Sequence, residues 1–160
     1  MSDWFWSYGF ADVRDDVLIG AYPLDEGDVD VLARIGVKRI LNLAEDEEYQ
    51  PGRREAAVQA LAAAEIEETR LPFTDHGALP SDELEQAVQT VVGWLNAGDR
   101  SYVHCRAGWQ RSAAVAAGVL ALADGVEIEE ALSIVQMRKP SAVPLDHQRD
   151  DLIRWWQARR

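Results

Sequence analysis

The sequence predicts a single α/β domain whose central sheet is largely parallel and flanked by helices. Short apolar runs rich in Val, Ile and Leu alternate with stretches of helical period along the chain, the pattern of strands joined by crossover helices. Nearly half of the 160 residues, 48%, are apolar, enough for a sizeable core in one domain. No repeat, low-complexity segment or linker breaks the alternation, so one domain is expected over 1–160, with a core from about 13 to 156 and an aromatic extension at 1–12.

The chain opens on MSDWFWSYGF, which lacks the basic start, clean apolar stretch and small-residue cleavage site of a signal peptide. Its rings Trp4, Phe5, Trp6, Tyr8 and Phe10 are expected to pack back on the domain, a recognition surface being the alternative. VLIGAYP (17–23) reads as the first strand, ended by proline. DEGDVDVLARIG (25–36) places Val29, Leu32 and Ile35 at helical spacing and stops at Gly36. VKRILNLA (37–44) is a buried strand, EDEEYQPG (45–52) an acidic loop whose Asp46 and Glu47 are expected in solvent, and RREAAVQALAAAE (53–65) a strong helix former. IEETRLPF (66–73) reads as a strand and TDHGALP (74–80) as a loop. Ser81 is placed to cap the next helix, which runs to about Gly98 with Leu84, Val88, Val91, Val92 and Leu95 inward. SYVHC (101–105) is a short strand and SAAVAAGVLALA (112–123) a small-residue helix suited to burial. Helices are expected at 127–139 and 146–160.

Composition excludes several classes of function. The formal net charge of −12 argues against nucleic acid and anionic membrane surfaces as partners. No apolar run reaches the roughly 18 residues of a membrane span. A single cysteine can form neither an internal disulfide nor a multi-cysteine zinc site, so a cytoplasmic protein without metal or cofactor is expected.

That cysteine stands in VHCRAGWQRS (103–112), between a strand and a helix. In parallel α/β sheets ligands bind at the carboxyl ends of strands. Backbone N–H groups of such a loop converge on an anion, and the dipole of the following helix adds positive potential. The same field favours the thiolate of Cys105. Arg111 can grip two oxygens of a phosphate-like group. Gly108 lets the backbone turn close to the anion, and Ser112 can donate to the sulfur. A thiolate beneath a bound phosphate is set for in-line attack on phosphorus.

The stretch His104-Cys105-x-x-Gly108-x-x-Arg111-Ser112 resembles the Cys-x5-Arg loop of cysteine-based phosphatases, specifically the dual-specificity branch of the protein tyrosine phosphatases. The resemblance covers roughly residues 13 to 156 in the order of elements. It implies Cys105 as nucleophile, Arg111 as phosphate ligand, Ser112 as helper of the sulfur, and Arg106, Ala107, Gly108, Trp109 and Gln110 as the loop around the substrate. It also implies a general acid about thirty residues before the cysteine, which is Asp75 in PFTDHG, with His76 as runner-up. His104 is expected to support the loop by hydrogen bonds. Arg106 either lends charge to the pocket or lies in solvent. The family's asparagine after the second proline is replaced by Leu145 in RKPSAVPLDHQ, so Asp146, or nothing, would brace the loop. Trp109 is expected at the pocket rim, the alternative being a brace beneath the loop.

The implied activity is phosphomonoester hydrolysis, with protein phosphotyrosine first and phosphoserine or phosphothreonine next as substrates. A phosphoinositide, sugar or metabolite phosphatase and a non-catalytic phosphate-binding adaptor are the alternatives.

Overall fold

The computed structural model describes residues 1–159, and in it the aromatic start is folded. Helix α1 (Asp3–Tyr8) is capped by Ser2, whose hydroxyl accepts from Phe5 N–H. Buried Asp28 takes both the N–H and the hydroxyl of Ser2, at 2.7 and 2.6 Å. Strand β1 (Phe10–Arg14) then pairs antiparallel with β2 (Val17–Gly20). Neither α1 nor β1 is visible as a pattern in the sequence, because the helix is short and the strand is an edge.

The remaining elements follow the expected order, most with shorter limits. Helix α2 (Glu26–Arg34) starts on Asp25, whose carboxylate accepts from Asp28 N–H at 2.9 Å. Strand β3 (Val37–Asn42) follows, then a 3-10 turn at Asp46–Glu48 inside the expected acidic loop, helix α3 (Arg53–Ala63) and strand β4 (Glu67–Arg70). In α4 (Ser81–Asn96) Ser81 is the first helical residue and does not cap; Pro80 occupies the cap with no side-chain bond. Strand β5 (Arg100–His104) leads through the cysteine loop into α5 (Arg111–Asp124), and α6 (Ile128–Arg138) and α7 (Asp146–Arg159) complete the chain. Strand β5 is shifted one residue toward the N-terminus, and α5 extends one residue beyond each end of its expected range. The last residue of the helix expected at 146–160 lies outside the described residues.

The strand order is β1-β2-β5-β3-β4, and every pair except β1-β2 is parallel. Gly20, Asn42 and His104 stand in register, as do Asn42 and Arg70, so four strands end along one line. Pairing loosens there without stopping: Leu43 N–H donates to His104 O, and Leu71 and Phe73 N–H donate to Asn42 and Leu43 O. The strands are shorter than their apolar runs because these last residues already turn over the site.

Two cores sandwich the sheet. Alternate strand residues Val17, Ile19, Leu41 and Val103 face α4, α5, α6 and α7, while Leu18, Ile40 and Tyr102 face Phe5, Val29, Leu32 and Leu61. Helix α5 is buried at every position from Arg111 to Ala121, which its small side chains permit. Among the described residues no helix is long and apolar enough to cross a membrane.

Candidate active site

The cysteine loop leaves the sheet at the central strand and enters the most buried helix, so its two ends are fixed by the core. Gly108 makes the turn with φ +77°, and a Cβ there would lie 2.5 Å from the carbonyl carbon of Gly20. The glycine is thus required by the close approach of β2 as well as by backbone conformation. The loop carbonyl of Arg106 accepts from Tyr22 N–H at 3.1 Å and from the Trp4 indole N–H at 2.8 Å. His104 is fully buried and its Nδ1–H donates to Cys105 O at 2.8 Å. Burial drives its pKa down to about 4, so the ring is neutral.

Cys105 sits at the floor, with Sγ 3.4 Å from the Ser112 hydroxyl. Burial opposes its ionisation. The Arg111 guanidinium, the Ser112 hydroxyl and the N–H groups of Ser112 and Gln110 outweigh burial and hold the thiol below its ordinary pKa.

Arg111, only 1% exposed, is held on several sides. Glu48 takes Nη1 and Nη2 at 2.8 and 2.6 Å, Phe73 O accepts from Nη1 at 3.0 Å, and Asp75 Oδ1 lies 3.2 Å from Nη2. The Nη1–Nη2 edge of the fork therefore belongs to Glu48. The buried Nε has no partner among the described residues. Burial lowers the carboxylate's tendency to ionise, yet the Arg111 bond keeps Glu48 below its usual range. Sequence reasoning passed over Glu48, since four acids stand in a row at 45–48 and only the 3-10 turn selects one of them. Of the neighbours expected in solvent, Asp46 is exposed but paired with Arg70, and Glu47 is exposed.

Asp75 and His76 both reach the cavity above the thiol, a space of about 170 Å³ walled on the other side by Trp4 and Tyr8 of α1. His76 has a left-handed backbone, φ +62°, and its ring stands 3.7 Å from the Asp75 carboxylate. The loop that carries them is fastened to α7. Gln148, fully buried, donates to Gly77 O at 3.1 Å and accepts from Leu145 N–H at 3.1 Å. His147 Nε2 donates to His76 O at 2.9 Å, and Asp151 accepts from Leu79 N–H at 2.8 Å. Asp146 is exposed, so the polar grip of α7 falls on the acid loop through Gln148 and not on the cysteine loop through Asp146.

Arg106 lines the cavity, with its guanidinium 4.8 Å over the Trp4 ring. Ala107, Gln110 and Trp109 line it too. Trp109 is 42% exposed and meets Tyr8 edge-on at 5.3 Å, which is the rim position. Lys139, also unforeseen, is buried beside Ser141, and burial holds its ammonium below the usual range. Among the described residues no group of three His, Cys, Asp or Glu side chains is gathered as metal ligands.

The family model for the dual specificity phosphatase catalytic domain matches residues 18–158. A human relative, phosphatidylglycerophosphatase and protein-tyrosine phosphatase 1, is 29% identical over 120 residues, 74% of this chain. The match spans 59% of that protein's own length. Among solved structures, the active form of Tk-PTP superposes with TM-score 0.81 at 22% identity, covering 92% of this chain and 96% of that one. PTPMT1 superposes at 0.80 and 22%, covering 94% and 95%. Human DUSP28 superposes at 0.76 and 25%, covering 93% of each chain.

Proposed function

The chain belongs to the dual specificity phosphatase family, and from that premise we propose that it hydrolyses phosphomonoesters through a phosphocysteine intermediate. The observation that carries this reading is the meeting of Cys105, Arg111 and Asp75 on the lining of one cavity, with Asp75 Oδ1 3.2 Å from Arg111 Nη2. The phosphate lies in the loop with its oxygens on backbone N–H groups and on Arg111. Cys105 thiolate attacks phosphorus, the S–P bond forms, and the bond to the leaving oxygen breaks. Asp75 gives that oxygen its proton. Asp75 carboxylate then takes a proton from water as the water oxygen attacks phosphorus. The S–P bond breaks, and the Ser112 hydroxyl donates to the departing sulfur. The products are an alcohol or phenol and inorganic phosphate. Metal takes no part, and the lone reduced thiol suits a cytoplasmic setting.

For the substrate, the aromatic walls Trp4, Tyr8 and Trp109 favour a ring-bearing monoester such as phosphotyrosine. A phospholipid headgroup is the second reading, because the human relative is named for a phosphatidylglycerophosphatase as well as a tyrosine phosphatase. The experiment is turnover, in chelator, of phosphotyrosine peptides, phosphoserine peptides, phosphatidylglycerophosphate, inositol phospholipids and sugar phosphates. Hydrolysis abolished by Cys105→Ser supports the mechanism, and the highest kcat/KM names the substrate class. No hydrolysis of any of them by the wild-type chain overturns the reading in favour of an adaptor.

A further inference from the structure

Besides its ring contacts with Trp109 and Arg106, the N-terminal helix hydrogen-bonds the backbone of the cysteine loop. Arg106 O lies under two donors, Tyr22 N–H and the Trp4 indole N–H, at 3.1 and 2.8 Å. A trans peptide is planar, with its carbonyl and the next N–H pointing in opposite directions. Fixing the carbonyl of the Arg106–Ala107 unit outward therefore turns Ala107 N–H inward, toward the space over Cys105. Tyr22 supplies one of these bonds from backbone. The other comes from a side chain outside the residues 18–158 matched by the family model.

Trp4 is itself immobilised. Ser2 is tied to buried Asp28 on one side of it and Phe5 is buried in the core on the other. Its ring packs against Tyr8 at 4.4 Å and Tyr22 at 5.8 Å, and the Arg106 guanidinium covers it. Trp6 on the same helix is 76% exposed, so the helix is not held by all its rings alike.

We propose that Trp4 is a positioning residue of the anion site, holding the Arg106–Ala107 peptide so that Ala107 N–H donates to an oxygen of the bound phosphoryl group. The proposal rests on the phosphatase reading for its ligand and extends it to a residue that touches no reacting atom. It separates two roles for Trp4. A wall that stacks on the leaving group affects ring-bearing substrates alone. A residue that aims a donor at the phosphoryl group affects every substrate, and inorganic oxyanions as well.

The test uses the full chain with tungstate as probe, measured by calorimetry. Trp4→Phe keeps a ring beneath Arg106 and removes the indole N–H. It should weaken tungstate binding by about fivefold to tenfold, the size of one hydrogen bond. It should lower kcat/KM for aryl and alkyl phosphates by the same factor. Trp6→Phe, at the exposed position of the same helix, should leave both unchanged. Unaltered tungstate affinity in Trp4→Phe, or a loss confined to aryl substrates, overturns the proposal. The wild-type chain gives a second measurement should Trp4→Phe fold poorly. Its Ala107 amide proton should move strongly downfield on tungstate addition, and an unmoved Ala107 resonance overturns the proposal. Tungstate binding with Ala107 shifted but no turnover of any phosphomonoester would sink the phosphatase reading and leave the positioning role standing. Normal turnover with Ala107 unmoved would do the reverse.

Discussion

Glu48 and Arg111 show how a charge can be spent on geometry. Their two-pronged pair orients a buried guanidinium and leaves its Nε without a partner among the described residues. Glu48→Gln should reduce kcat/KM by roughly tenfold, since the fork loses its rigid partner. It also removes the negative charge paired with the guanidinium that favours the thiolate, so Cys105 should ionise at still lower pH. Iodoacetamide labelling against pH would read that shift, and a Cys105 titration moved upward would refute the role given to Glu48. Arg111→Lys should cost roughly 10²- to 10³-fold in kcat, because an ammonium cannot match the planar fork. Asp75→Asn should slow poor leaving groups most; equal losses for good and poor leaving groups would point to His76. Cys105, Gly108, Arg111 and Ser112 were legible because their spacing lies within one loop. Glu48 and Gln148 were not, since each reaches the site through tertiary contacts with nothing local to mark it, and Trp4 was marked only as one ring of an aromatic segment expected to pack on the domain, a recognition surface being the alternative.

Two elements set the loops around the thiol, and each can be perturbed separately. At the junction of β2 with the cysteine loop, Gly108→Ala forces a side chain toward the Gly20 backbone at φ +77°. Oxyanion affinity should fall at least tenfold, and kinetics with vanadate as inhibitor would measure it. At the start of α7, Gln148→Leu removes the bond to Gly77 O and unfastens the acid loop. It should slow alkyl phosphates severalfold more than nitrophenyl phosphate, and should add nothing in an Asp75→Asn background. A further loss in that background would show Gln148 acting elsewhere. Most strands and long helices were readable from apolar period alone, as in the buried face of α4 and the small residues of α5. Helix α1 and strand β1 were not. Six helical residues carry too little period to register, and an edge strand with one fully buried side chain looks like a loop. The aromatic segment was expected to pack on the domain, and it does; that it also walls the cavity is a property of where β2 ends.

At the scale of the whole molecule, stability should follow the protonation of buried groups. His104 has a folded pKa of about 4 against 6.5 for the free side chain, set first by burial. The unfolded chain therefore takes up this proton first, and stability present above pH 6.5 is lost as pH falls toward 4. Melting temperature should be level above pH 7, decline between about 6.5 and 4, and decline less there in His104→Asn. Glu48 and Glu68, held below their usual range by arginine partners, add their loss only below the ordinary carboxylate pKa. An unchanged slope in His104→Asn would remove histidine from the account. The chain also has one cysteine in its 160 residues, and that one is Cys105, whose buried thiol is held below its ordinary pKa by Arg111 and the Ser112 hydroxyl. Peroxide meets this sulfur as a nucleophile: an S–O bond forms, the O–O bond breaks, and water leaves after proton transfer, giving a sulfenic acid. No second thiol within these residues can capture it as an internal disulfide, so recovery depends on a thiol from outside or on the neighbouring amide nitrogen. Brief peroxide treatment should abolish turnover, dithiothreitol should restore it, and tungstate in the loop should protect against it. Longer exposure should leave a permanently silent enzyme, which makes the reducing power of the surroundings a second substrate in all but name.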